Sequence, residues 1–115
     1  MNIFIKDTNK QTNLSIIDPH NGSDYIQDFI GNTGALSDGQ FTWDDEQSAF
    51  VCDQLTFDWW EKVVNDNQKI EDRIRALVDK HGSESVHAIV HSVGNCDLED
   101  YANLVNTELD NAFPV

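Results

Sequence analysis

Basic residues are the scarcest feature of this chain. Seven lysines and arginines stand against 21 aspartates and glutamates, a net charge of −14, with an isoelectric point near 4.2. That deficit argues against direct contact with nucleic acid or an anionic membrane, both of which attract basic surfaces. Cysteine is sparse as well: Cys52 and Cys96 stand alone, without C-x-x-C spacing or a histidine at metal-finger distance. Free thiols are the simplest expectation, and a Cys52–Cys96 disulfide would require an oxidising compartment. No segment approaches the roughly 20 apolar residues of a membrane span. The opening MNIFIKDTNK meets a charge at Lys6 and lacks a signal-peptide core, so a cytoplasmic protein is expected. Phosphate-binding glycine loops, G-x-S-x-G and any spacing suited to a Ser/His/Asp or Cys/His set are missing too. The expectation is a non-enzymatic protein without a cofactor or metal.

What is present is the material of a core. The 115 residues are 39% hydrophobic and 10% aromatic, enough for one folded domain spanning residues 1–115. NIFIK (2–6) alternates as a strand, and TNLSII (12–17) reads as its antiparallel partner across the turn Thr8-Asn9-Lys10. Asp18-Pro19 stops that hairpin. Ser23 is placed to cap a short helix over DYIQDFI, with apolar positions 25, 26, 29 and 30 on one face and Gly31-Asn32 as its end. After the loop GNTGALSDGQ, QFTW (40–43) and SAFVCD (48–53) form a second hairpin around Asp44-Asp45-Glu46-Gln47, with the apolar AFVC central.

Helical periodicity dominates from Thr56 to Gly82. Thr56 is the expected N-cap, and Phe57, Trp60, Val63 and Val64 make one apolar face; Ile70, Ile74, Leu77 and Val78 continue the same period. Asn65-Asp66-Asn67 interrupts it, and three consecutive Asx residues favour a break or kink over one continuous helix. Gly82 ends the element, Ser83 caps a short helix through Val93, and Asp97 caps a last one with the inward stripe Leu98, Tyr101, Ala102, Val105, Leu109 and Ala112. The fold class is α+β: N-terminal antiparallel hairpins with a short helix, then a C-terminal helical half of three to four helices packed on the sheet.

The charge is unevenly laid out. Residues 1–55 carry nine acids and two bases, residues 56–82 six acids and five bases, and residues 83–115 six acids and no base. Two acidic regions therefore flank a nearly neutral scaffold, and their self-repulsion opposes compactness. Within that scaffold, Asp58–Lys62 and Glu71–Arg75 are (i, i+4) pairs in the favoured order. One benefit that could offset the repulsion is imitation of DNA. A chain of this size exposes roughly 6,000 Å², or about 450 Å² per net charge, against roughly 100 Å² for duplex DNA. Imitation therefore requires the carboxylates to gather on one face.

Three constellations remain. His87 and His91 are four apart on one helix, a spacing that can chelate a metal, with a third ligand sought at His81, Cys96 or Asp97. Without H-E-x-x-H the simpler reading is a pair of surface histidines. Asp44-Asp45-Glu46 lacks the EF-hand pattern and reads as a solvated turn, with a weak cation or partner contact as the alternative. Of the doublet Trp59-Trp60, Trp60 belongs in the core, and Trp59, about 100° round the helix, either packs at the sheet boundary or serves as a contact residue.

The segments TFDWWEKVV and DGQFTWDDEQSAFVCD, with the acidic helical tail, resemble small accessory proteins of Gram-positive conjugative elements and phages, across about residues 35–110. These include antirestriction-type proteins, which are acidic and imitate DNA. The resemblance implies a mobile-element role and transfers no individual residue. Together with the charge it leads to an expected partner that is a basic or nucleic-acid-binding protein, engaged as by a DNA-mimic inhibitor of antirestriction or anti-CRISPR type. The candidate contact residues are Asp44, Asp45, Glu46, Trp59, Asp97, Glu99, Asp100, Glu108 and Asp110. The alternative is a self-associating or adaptor domain whose acidity serves only solubility.

Overall fold

The computed structural model describes residues 1–114. Its elements are β1 (Asn2–Ile5), β2 (Lys10–Asn13), α1 (Ile26–Asn32), β3 (Thr42–Asp44), β4 (Ala49–Cys52), α2 (Gln54–His81), α3 (Ser83–His91) and α4 (Leu98–Ala112). All four strands precede α2, α3 and α4, and α1 lies between the two hairpins, in keeping with the α+β reading. The chain divides into two compact units, Met1–Asn65 and a second from Asp66 onward.

The first unit holds a four-stranded mixed sheet in the order β2-β1-β4-β3. Both hairpins form: β1 and β2 are antiparallel, with Ile3 opposite Thr12, and so are β3 and β4, with Trp43 opposite Phe50. What joins them is a parallel β1–β4 pair, Ile3 opposite Phe50 and Ile5 opposite Cys52. A parallel pair needs a long crossover, and the stretch between the hairpins, which includes α1, supplies it. AFVC lies between two strands, so the apolar run is central. Ile3, Ile5, Ala49 and Cys52 are buried.

Local chemistry corrects several boundaries. β2 ends at Asn13 rather than Ile17, yet Leu14 and Ile16 stay buried, and the chain returns through an Ile17–Asp24 antiparallel bridge. The α1 cap is not Ser23. Asp24 Oδ1 accepts from the N–H groups of Ile16 at 3.2 Å and Ile26 at 3.1 Å, tying the peeled strand end to the helix start. α2 begins two residues before Thr56: Asp53 Oδ1 accepts the Thr56 N–H at 2.8 Å, and the Asp53 carbonyl accepts the Phe57 N–H at 3.0 Å. Asp53 is therefore the N-cap, and its carboxylate meets the positive end of the helix dipole.

The break at Asn65-Asp66-Asn67 does not occur, since α2 is continuous for 28 residues. Asn67 is 5% exposed and extends the buried stripe, which includes Val63, Val64, Ile70 and Ile74, with a polar side chain. An interior Asx residue weakens a helix by only about 0.7 kcal/mol relative to alanine, too little to interrupt one anchored by burial on both sides. The composition change marks the boundary between the compact units instead.

In the first unit the core element is Trp60, 2% exposed. Its ring meets Phe41 at 6.0 Å and Phe29 edge-on at 6.4 Å between centroids. In the second unit Ile70 and Ile74 of α2, Val86 of α3 and Ala102, Val105 and Leu109 of α4 form one cluster. Each large aliphatic chain so buried contributes about 1.5–3 kcal/mol. α2 ends at Gly82 (φ +92°), a backbone conformation that L side chains rarely adopt; its N–H reaches the Val78 carbonyl at 2.9 Å before α3 starts. Ser83, expected as the cap, is instead the first residue of α3.

Candidate acidic interface

The β3–β4 hairpin brings Asp44, Asp45 and Glu46 together at one tip. Asp44 Oδ1 accepts the Glu46 N–H at 2.9 Å, and the Ser48 N–H bonds the Asp45 carbonyl at 3.3 Å. Ser48 takes φ +51°, so the turn closes without glycine. Asp45 and Glu46 are exposed and Asp44 is half-buried.

Beside them lies a residue that sequence reasoning did not single out. Trp43 is 52% exposed. Its Nε1 donates to Asp45 Oδ1 at 2.6 Å, and its ring sits edge-on to Phe50 at 5.1 Å. A carboxylate and an aromatic neighbour thus hold the indole in place at the surface. Thr42, Trp43, Asp44, Asp45, Glu46 and Val51 line a shallow open concavity of about 590 Å³. Carboxylates around an aromatic face suit an alkylammonium or guanidinium group, which each attracts. Phe41, two residues earlier, precedes β3 and is buried, whereas Trp43 lies within the strand and is exposed.

Trp59 is 40% exposed and stands edge-on to Trp60 at 4.9 Å. One turn before it, Leu55 is 81% exposed, the most exposed of the large apolar residues described. Gln40, Leu55, Thr56, Trp59 and Trp60 line a cavity of about 250 Å³. Leu55 was missed because the sequence placed the helix start after it.

The remaining candidates belong to the second unit. Asp97 occupies the α4 N-cap position, where its carbonyl accepts the Asp100 and Tyr101 N–H groups at 3.0 and 3.1 Å. Glu99, Asp100, Glu108 and Asp110 are exposed. At about 100° per residue Asp100 lies opposite the buried Ala102, Val105 and Leu109, whereas Glu99 and Asp110 flank that stripe on one side and Glu108 on the other. Glu99 and Glu108 lie about 13 Å apart along the axis. Asp110 is engaged within the unit: Arg73 donates to its Oδ1, and also to Asn106 Oδ1. A guanidinium so placed offsets the charge that Asp110 would present.

His87 and His91 are exposed on α3 with rings near-parallel at 6.4 Å, and Ser83 Oγ lies 3.0 Å from His87 Nδ1. Among the described residues no group of three or more histidine, cysteine, aspartate or glutamate side chains could hold a metal. Cys52 is buried and Cys96 exposed; both are free thiols. Burial, reinforced by Asp53 and Asp7, pushes the Cys52 thiol up to about 11. Among the described residues, no helix is long and apolar enough to cross a membrane.

No protein family, curated protein or solved structure matches the chain.

Proposed function

We propose that this protein binds a basic, nucleic-acid-binding protein through its carboxylate surface, as a small non-enzymatic inhibitor of antirestriction or anti-CRISPR type from a mobile element. The observation that carries the reading is the β3–β4 tip. Three acidic residues surround a surface tryptophan held in place by Asp45, with no lysine or arginine within the hairpin (Thr42–Cys52). The charge balance supports it in each unit separately. Residues 1–65 hold eleven acids and three bases, and residues 66–115 ten and four.

Carboxylates in such excess speed encounter with a cationic surface and exclude nucleic acid itself. Trp43 and Trp59 add apolar anchors that charge alone does not supply. The mechanism is occupancy: a protein groove built for phosphates is filled by fixed carboxylates. The test is competition. Added to a restriction or CRISPR effector, the protein should displace DNA, with an affinity that falls about tenfold or more when salt is raised from about 50 to 300 mM. Binding unchanged by salt overturns the electrostatic mechanism.

The exposed Leu55 keeps a second reading in play, a self-associating or adaptor domain whose acidity serves solubility. Sedimentation over a range of concentrations separates the two, because only this reading requires concentration-dependent assembly.

A further inference from the structure

We propose that Leu55, Trp59 and the cavity beside them form a docking site for one apolar side chain on a basic amphipathic segment of the partner. The inference rests on the reading above and adds a second contact, distinct from the hairpin tip.

The two residues are one helical turn apart on α2, so their side chains share a face. Leu55 is 81% and Trp59 40% exposed, and both line one depression, so they form a contiguous apolar patch rather than a scattered exposed residue. The depression beside them, about 250 Å³, is open to solvent and smaller than the roughly 300–1,000 Å³ of small-molecule sites, so it offers room for one apolar side chain rather than a ligand.

The wall is already rigid. Trp59 stands edge-on to Trp60 at 4.9 Å, and Trp60 is fixed by its 2.9 Å hydrogen bond to Gln40 and by Phe29 and Phe41. A preformed aromatic wall needs little ordering on binding, and tryptophan is enriched among interface hot spots.

Charge selects the occupant. The unit containing the site has a net charge of −8. Asp58, exposed three residues after Leu55, is held by the Gln54 side chain at 2.8 Å, and Asp53 caps the helix just before it. An acidic segment, an anionic lipid surface or nucleic acid meets this field at a disadvantage, whereas lysines or arginines flanking an apolar anchor are attracted. A second copy brings another −14 and is disfavoured for the same reason.

The experiment uses the full chain and two short helical peptides of equal positive charge, titrated by calorimetry at low salt. One peptide has a leucine face and a lysine face; in the other the leucines are glutamines. The leucine peptide should bind about tenfold or more tightly than its control, and Leu55→Asp or Trp59→Ala should remove that advantage. Leu55→Asp alters an exposed side chain, so circular dichroism should report an unchanged fold. Equal binding of both peptides, insensitive to Leu55→Asp, overturns the docking site while leaving the carboxylate surface as the binding element. Failure of both peptides to bind the wild-type chain removes the basic-partner reading and this inference with it. A wild-type dimer that Leu55→Asp converts to a monomer overturns the proposal by assigning the patch to a second copy.

Discussion

The indole Nε1 of Trp60 donates a 2.9 Å hydrogen bond to Gln40 Oε1, which lies in the loop before β3. Trp60 is 2% exposed, and Gln40 gives its N–H an acceptor among aromatic neighbours. Gln40→Leu leaves that N–H desolvated without a partner. The expected loss is about 1–2 kcal/mol in denaturant unfolding. In a Trp60→Phe background the same change should cost far less, because the donor is gone. Strict additivity of the two changes would show that the bond contributes nothing.

That pair also marks how far the sequence could be read. Periodicity placed Trp60 in the core with Phe57 and Val64, and alternation placed both hairpins, since these are local patterns. The Gln40 acceptor, the parallel β1–β4 pairing and the Asp24 link between strand end and helix are long-range or loop-borne, and no spacing encodes them. The helix start was misplaced because Thr56 and Asp53 are both good caps and only geometry chooses. At the acidic tip the carboxylates were legible from composition. Trp43 and Leu55 were not, because exposure of a large apolar residue contradicts the pattern by which such residues are read.

Asn67 offers a sharper test of the continuous α2. It is the one buried polar residue among those described, at 5% exposure, and no buried side-chain polar atom described lacks a partner. Asn67→Asp keeps the shape and adds a charge at a desolvated site. Stability at neutral pH should fall by about 2–4 kcal/mol. Burial raises the new carboxyl's pKa in the folded state, so the penalty should shrink as pH falls and the group becomes protonated. A variant as stable as the parent at neutral pH would place residue 67 in solvent.

The two thiols should separate by reactivity. Cys96 is exposed, whereas Cys52 is 3% exposed in the central strand and its thiol is pushed up to about 11. Thiolate is the reactive form. A thiol reagent near pH 8 should therefore label Cys96 promptly and Cys52 only on unfolding. Equal labelling of both in the native state would contradict the β4 placement.

Acid should weaken the first unit through two carboxylates. Burial raises the Asp24 pKa, but hydrogen bonds from Ile26, Ser15 and Ile16 together outweigh it, and the net shift is downward. Asp53 is held below its ordinary value by the Thr56 hydroxyl and N–H. A depressed folded pKa gives stability that is present above the unfolded value and lost as pH falls through the folded one, here below about pH 4. Asp24→Asn and Asp53→Asn should each lower Tm by a few degrees at neutral pH. The difference from wild type should shrink as pH falls below about 4 and vanish once both carboxylates are protonated. A difference that persists there would assign the loss to something other than the carboxylate charge.

Asp110 and Asp100 should part company in partner binding. Both are exposed on α4, but Asp110 is bonded to Arg73, which also holds Asn106, whereas Asp100 stands in the first turn. Asp110 is solvated and Arg73 half-buried, so breaking the ion pair should cost about 1 kcal/mol of stability. Its larger effect is on the charge presented outward: Asp110→Asn leaves Arg73 less compensated, and Asp100→Asn removes a carboxylate with no such offset. If α4 contributes to a cationic partner's site, Asp100→Asn should slow association and weaken its salt dependence. Arg73→Met should have the opposite effect by restoring the full charge of Asp110. Equal association rates for wild type, Asp100→Asn and Arg73→Met would confine the interface to the first unit, where the hairpin tip and the Leu55–Trp59 face lie.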